Sequence, residues 1–315
     1  MSSRPLVLIG NPVSDRLRNA LVERYEVVGP FPGGAGSIDG DVARRIDAAV
    51  IFGMKFDVAA MDVLPGVKIV SCLGTGFDDV DIQAAHARKI EVVHGRGANS
   101  NAVADLAMGL MLATVRRIAA SDRWVRDGRW KTKGDKGPIT PGLTGARLGI
   151  YGLGEIGKRI ARRATGFEMT IGYHDSHVVG SMPYEYHDTL VGLASWCDVL
   201  VVSVRGSPST EGSVTSDVLR ALGPQGYLIN IARGSIVDEQ ALASAVEEGA
   251  IAGAGLDVFV AEPDVPEALR RSDRVVLSPH RGSTTVDART AMEDITIANL
   301  EAFFQGKPLL TPVPA

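Results

Sequence analysis

Short apolar, largely β-branched runs recur along the chain, and between them lie longer stretches whose apolar residues return at helical spacing. In the first hundred residues the runs at 6–9, 48–52, 68–72 and 91–94 predict strands. A second series begins later, at 147–151, 169–173, 198–204, 227–231, 251–257 and 275–278. Strands alternating with helices in this way predict an α/β fold with parallel sheets. Between 102 and 117 the apolar positions continue for more than four helical turns, which predicts a long buried helix. A polar, glycine-containing stretch over 127–145 follows, with Trp124 and Trp130 at its start. Large aromatics beside an irregular arm suit packing against a partner subunit and suit burial on the parent domain equally. The last helix is expected over about 287–304, stopped by Gly306-Lys307-Pro308. No repeat or low-complexity segment interrupts the pattern.

Composition narrows the classes. At 315 residues, the chain has the length of about two domains. Hydrophobic residues make up 45% and charged residues 22%, enough for a sizeable core. A net charge of −4 gives no electrostatic footprint for a polyanion, so no nucleic-acid partner is expected. The basic pairs Arg116-Arg117, Arg162-Arg163 and Arg270-Arg271 are read as solvated helix faces. The opening MSSRPLVLIG is too short in its apolar run for a signal peptide. The apolar stretch at 102–115 contains Asp105 and falls short of the roughly 20 residues that cross a bilayer. Cys72 and Cys197 lie far apart in no metal-like spacing, so both are taken as small core residues. No metal and no membrane is expected, and two such thiols fit a reducing cytoplasm.

The strongest local motif is GLGEIG at 152–157, placed after the strand ending at Tyr151 and before a helix. Gly152 permits a tight turn, Gly154 lets the backbone approach a pyrophosphate, and Gly157 lets the helix pack closely on the sheet. The helix start, with Glu155 and Ile156, offers N–H groups and a partial positive charge to phosphates. The following strand ends in Tyr173-His174-Asp175-Ser176. Asp175 can accept from both hydroxyls of a ribose and repels a 2′-phosphate, and no arginine stands at 176 or 177. NAD(H) is therefore favoured; His177 keeps NADP(H) open.

Three later segments each put a reactive side chain at a predicted strand end: Arg233 after Ile231, Asp257 and Glu262 in GLDVFVAEP, and His280 in SPHRGS. Strand carboxyl ends are where ligands bind in an open parallel sheet. Reducing a ketone by hydride needs a proton for the developing alkoxide, which His280 can supply. Glu262 beside it would favour the charged imidazole and fix its tautomer. Arg233 has a planar fork suited to a carboxylate. The glycine-rich turn at 73–77 offers the N–H groups of Thr75 and Gly76 to the same carboxylate. Asp257 can accept from a nicotinamide carboxamide, and Met54, Lys55 and Trp130 are candidates for the pocket mouth. His86, His94, His174 and His187 are assigned to surface or structural places.

These segments resemble the D-2-hydroxyacid dehydrogenase family over nearly the whole chain. The matching stretches are GTGFDDVD at 74–81, NAVADLAMGLML at 101–112, GLGEIG at 152–157, INIARGSIVDE at 229–239, GLDVFVAEP at 255–263 and SPHRGS at 278–283. Within the family, VADLA, LGPQGYLINIARG and GKPLLTPV look most like glyoxylate/hydroxypyruvate and hydroxyphenylpyruvate reductases. The resemblance implies a Rossmann dinucleotide-binding domain over 101–286 and a discontinuous, flavodoxin-like substrate domain formed by 1–100 and 287–315. It also implies a homodimer, a small 2-oxo or 2-hydroxy acid as substrate, and Arg233, Glu262 and His280 as the catalytic trio. Val103, Ser203, Val204, Thr210, Ile231, Ala232, Asp257 and Gly282 match positions near the cofactor, with Arg233 and His280 adjoining it. Glu155 stands where relatives often carry arginine, which removes a favourable charge beside the pyrophosphate. The corepressor branch, a dinucleotide-sensing scaffold, and the phosphoglycerate-type dehydrogenases share this frame and are the alternatives.

Overall fold

The computed structural model describes residues 4–31 and 33–314. It divides into two compact units, one formed by residues 1–99 with 285–315 and the other by 100–284. Each is built on a parallel sheet whose inner strands are largely apolar at consecutive positions, and a two-sided core is the reason. In the first strand, β1 (Leu6–Ile9), Leu6 and Leu8 enter one buried cluster while Val7 and Ile9 enter another. Successive side chains of a strand point to opposite faces, so covering both faces with helices demands an unbroken apolar run.

The first unit contains β1, β2 (Glu26–Val28), β3 (Ile46–Ile51), β4 (Ile69–Cys72) and β5 (Glu91–His94), in the order β2-β1-β3-β4-β5. The helix Val286–Phe304 completes it, with Leu300 fully buried in one of its cores. That helix also carries a buried polar stripe of Glu293, Thr296 and Asn299. Glu293 accepts from Ser14 Oγ at 2.6 Å and Arg16 Nη1 at 2.9 Å, and Asn299 Oδ1 accepts from the Leu310 N–H at 2.9 Å. These partners satisfy groups whose burial would otherwise cost free energy.

The second unit contains β6 (Arg147–Tyr151), β7 (Thr170–His174), β8 (Glu185–Tyr186), β9 (Val199–Val202), β10 (Tyr227–Asn230), β11 (Gly253–Leu256) and β12 (Val275–Leu277). Their order is β12-β11-β10-β9-β6-β7-β8, all parallel. The chain reverses direction of travel across the sheet between β6 and β9, the place where such sheets open a ligand crevice. The helix Ser100–Val115 lies against β11 so closely that a Cβ on Gly255 would sit 2.7 Å from Thr114 Oγ1.

Three expectations change. The helix expected through residue 117 ends at Val115, because Arg117 takes a left-handed φ of 52°, and a separate helix, Ile118–Arg126, follows. Trp124 belongs to that helix rather than to the irregular stretch, while Trp130 is 50% exposed. The short strands β2 and β8 lack an apolar run and were not expected; as sheet-edge strands they face solvent and need none. Among the described residues no helix is long and apolar enough to cross a membrane, and no cluster of His, Cys, Asp or Glu could hold a metal. Cys72 and Cys197 are both buried and unpaired.

Candidate active site

In the second unit the glycine motif forms the turn between β6 and the helix Glu155–Ala164. Gly152 has φ 94°, and a side chain there would meet the Val204 backbone at 2.5 Å. A Cβ on Gly157 would collide with the Gly152 carbonyl, so the helix can approach the turn only with glycine at that place. Gly154 differs: a Cβ there would meet nothing within 4 Å, and as helix N-cap it makes no side-chain hydrogen bond. The helix start thus presents its N–H groups to open space, the donor set a pyrophosphate requires. Ile156 is partly buried beneath it, and Glu155 is drawn along the helix by Arg159, 2.7 Å from its carboxylate. Ser203 Oγ donates to the Gly152 carbonyl at 2.8 Å and holds the turn against β9.

At the end of β7, Asp175 is bound to the same turn. Its Oδ2 accepts from the Leu153 N–H at 2.8 Å and its Oδ1 from the Ser176 N–H at 2.7 Å. Ser176 Oγ lies 3.1 Å from His177 Nδ1, and the His177 side chain is largely exposed. The helix N-terminus, the tight glycine packing and an acceptor pinned beside the turn fit a dinucleotide. Thr210 instead closes its own turn, accepting from the Ser207 N–H and donating to the Arg205 carbonyl, both at 2.9 Å.

Three strand-end loops of this unit converge. Ile231 and Ala232 are buried after β10, and Asn230 fixes the turn that follows: its Nδ2 donates to the Arg233 carbonyl at 2.9 Å and its Oδ1 accepts from the Ala232 N–H at 3.1 Å. The Arg233 guanidinium also donates to the Ala232 carbonyl at 2.8 Å. Gly234 comes so close to the loop after β11 that a Cβ would collide with the backbone of Phe259 and Val260. In that loop Glu262 Oε1 accepts from the Phe259 N–H at 3.1 Å, and Oε2 lies 2.8 Å from His280 Nδ1. A carboxylate only accepts, so Nδ1 carries the hydrogen and Nε2 takes no part in this pair.

Asp257 is nearly completely buried and organises the loop that carries this histidine. Its carboxylate accepts from Ser278 Oγ at 2.6 Å and from the N–H groups of Arg281 at 2.8 Å and Gly282 at 2.9 Å. Its carbonyl accepts from the His280 N–H at 2.8 Å, and His280 sits at φ 49°. Gly282 lies between this carboxylate and Val103 of the helix Ser100–Val115, with a Cβ there only 3.1 Å from Val103.

In the first unit Thr75 and Gly76 follow β4. Met54 and Lys55 line a cavity of about 470 Å³ near the ends of β1 and β3, together with Asn11, Phe31 and Ala60. Thr75 and Gly76 do not line it, and Met54 is itself buried to 6% exposure, so its sulfur packs on Gly10 more than it faces a ligand. The sequence reading overlooked Asn230, Gly234 and Ser278. A polar residue ending an apolar strand was the available signal for Asn230; nothing local marks the other two.

A seven-stranded parallel sheet with this glycine turn at its point of reversal is a Rossmann-type NAD-binding domain, the class of the dinucleotide-dependent dehydrogenases. Residues 108–282 match the NAD-binding domain of the D-isomer specific 2-hydroxyacid dehydrogenases. The chain belongs to that family of oxidoreductases. It is 46% identical over 257 residues to hydroxyphenylpyruvate reductase of Plectranthus scutellarioides, covering 82% of each chain. It is 40% identical to glyoxylate/hydroxypyruvate reductase A of Arabidopsis thaliana over 98% of both. An NADPH-dependent glyoxylate/hydroxypyruvate reductase from Sinorhizobium meliloti, solved with NADP and malonate, superimposes with a TM-score of 0.93 at 43% identity, over 99% of this chain and 97% of that one.

Proposed function

We propose that this protein reduces small 2-oxo acids of the glyoxylate and hydroxypyruvate class to their 2-hydroxy acids, with His280 as general acid. The observation that carries the reading is the His280–Glu262 pair, 2.8 Å apart in the unit that also holds the NAD-binding turn. When bound, the nicotinamide supplies the hydride that adds to C2. Arg233 grips the substrate carboxylate in its planar fork and polarises the neighbouring carbonyl. The Thr75 and Gly76 N–H groups, on the turn after β4, are further donors suited to a carboxylate. His280 gives a proton from Nε2 to the developing alkoxide, while Glu262 holds Nδ1 and fixes the orientation of the ring.

Asp257 keeps the His280 loop in place and has a lone pair left for the carboxamide of the cofactor. NAD(H) is favoured over NADP(H), because the Asp175 carboxylate at the end of β7 could accept from ribose hydroxyls and would repel a 2′-phosphate. The same reading carries a homodimer and a cytoplasmic location, which light scattering and cell fractionation test.

The test is a panel of glyoxylate, hydroxypyruvate, pyruvate and phenylpyruvate, each with NADH and NADPH. His280→Ala should lower kcat by about 10²–10⁴-fold, and Arg233→Ala should act mainly on KM for the oxo acid. Full turnover by the histidine variant would remove His280 as the acid. NADH binding with negligible turnover of every oxo acid would make the protein a dinucleotide sensor instead.

A further inference from the structure

His94, the last residue of β5, is in register with Cys72, the last residue of β4. Beyond both strands the contact continues as three hydrogen bonds onto the Thr75–Gly76 turn. The Gly95 N–H donates to the Gly74 carbonyl at 2.8 Å. His94 Nδ1 lies 2.8 Å from the Thr75 carbonyl. Asn99 Nδ2 donates to Thr75 Oγ1 at 3.2 Å. A carbonyl only accepts, so the hydrogen of His94 resides on Nδ1. The His94 ring also meets the edge of Phe77, with centroids 5.1 Å apart at 82°. Gly95 permits the approach, since a Cβ there would stand 3.0 Å from the Leu73 carbonyl and 3.1 Å from that of Gly74.

Peptide planarity converts these contacts into a statement about the opposite side. In a trans peptide the carbonyl and the following N–H point in opposite directions. The Gly74 carbonyl shares its peptide with the Thr75 N–H, and the Thr75 carbonyl shares its own with the Gly76 N–H. Both carbonyls are tied to the β5 end, so both N–H groups face away from it. Among the described residues neither N–H has an acceptor. Two adjacent N–H groups aimed the same way form a small anion-binding concavity.

We propose that His94 is a positioning residue for substrate carboxylate binding: its imidazole holds the Thr75–Gly76 peptide in the orientation that presents the Gly76 N–H to the carboxylate. This rests on the reading of Thr75 and Gly76 as carboxylate donors. His94 touches no substrate and takes no part in proton transfer. Its effect is confined to how well the anion is gripped, so it bears on KM and leaves kcat nearly alone.

Two variants separate this role from a merely structural one. His94→Phe keeps a ring against Phe77 and loses the Nδ1 donor; His94→Asn returns an N–H donor near the place of Nδ1. The readouts are KM and kcat for glyoxylate, the Kd of oxamate (an unreactive 2-oxo acid analogue) in the presence of NADH, and the Kd of NADH alone. His94→Phe should raise KM and the oxamate Kd about tenfold, shift kcat by less than about threefold and leave NADH binding unchanged. His94→Asn should recover most of that loss. Unchanged oxamate binding in His94→Phe, or a loss that His94→Asn does not recover, overturns the proposal. Gly76→Pro, which deletes one of the two N–H groups, tests the underlying reading. Oxamate binding weakened by Gly76→Pro and untouched by His94→Phe defeats the His94 role alone; binding untouched by both defeats the carboxylate turn. Should His94→Phe not fold, the imidazole ¹⁵N shifts of the unaltered protein decide, since an Nε2–H tautomer is incompatible with the proposal.

Discussion

Gly234→Ala is the substitution that most directly tests how the His280–Glu262 pair is held. The added methyl would stand closer than 3.0 Å to the Phe259 carbonyl group and to the Val260 nitrogen, all of them backbone atoms. No rotamer change relieves such a clash, so the Arg233 turn and the Phe259–Glu262 turn must part. Restoring ordinary contact requires a displacement of roughly 1 Å, and overpacking of this kind costs about 1–3 kcal/mol of stability. The Phe259 N–H holds Glu262 at 3.1 Å, and Glu262 holds His280 at 2.8 Å, so the displacement passes to the imidazole. A misplacement of about 1 Å at a reacting group is worth about 10²-fold in rate. The expected outcome is a kcat about 10²-fold lower in steady-state glyoxylate reduction and a lower melting midpoint. NADH affinity by fluorescence quenching should be unchanged, because the Gly152–Gly157 turn has no part in the clash. A variant that keeps kcat within threefold while losing stability would show that the close approach of these turns does not position His280.

Further outcomes follow from the rest of the structure. Burial pushes the Cys72 and Cys197 thiols up to about 12, so neither should react with a disulfide reagent at pH 8 in the folded protein. Once pH passes the ordinary thiol value of 9.0 the unfolded chain releases protons that the folded chain retains, so denaturant midpoints should fall from there toward about 12. A stability that holds level across that window would contradict the assigned burial. Among the described residues Thr114 Oγ1 is buried without a hydrogen-bond partner, so Thr114→Val should stabilise the protein by about 1 kcal/mol, read as a higher melting midpoint; a lower midpoint would mean that the hydroxyl is satisfied. Asp175→Ala loses the acceptor for the Leu153 N–H and the charge facing a 2′-phosphate. The NADH Kd should rise about tenfold while the NADPH Kd falls, and parallel titrations giving an unchanged ratio would show that discrimination lies elsewhere.

Much of the second sheet was legible because its strands are buried on both faces. A run such as the VLVV of β9, with Leu200 and Val202 in one core and Val199 and Val201 in the other, leaves no ambiguity of period. Arg233, Asp257 and His280 stood out because each is a polar side chain shortly beyond a strand end. His94 also ends a strand, yet its sequence context does not distinguish it from a structural histidine. The difference is that its partner, the Thr75 carbonyl, lies on the turn after the neighbouring strand β4, 19 residues away in the chain, and no pattern in the 91–94 run reports it. The ending of the long helix at Val115 was hidden likewise, since apolar spacing continues while Arg117 turns left-handed.

What the amino-acid order determines alone is whatever depends on neighbours a few residues apart: the strand runs, the glycine turn at the start of a helix, and the acidic end of β7. What only the tertiary structure decides is which backbone approaches which. Gly234 against Phe259, Gly282 between Val103 and Asp257, and the Asp257 carboxylate gathering Ser278, Arg281 and Gly282 all join residues from separate strand ends. The physical reason is that strand order and register, set by burying both faces of the sheet at once, choose these partners, whereas local propensity acts only along the chain.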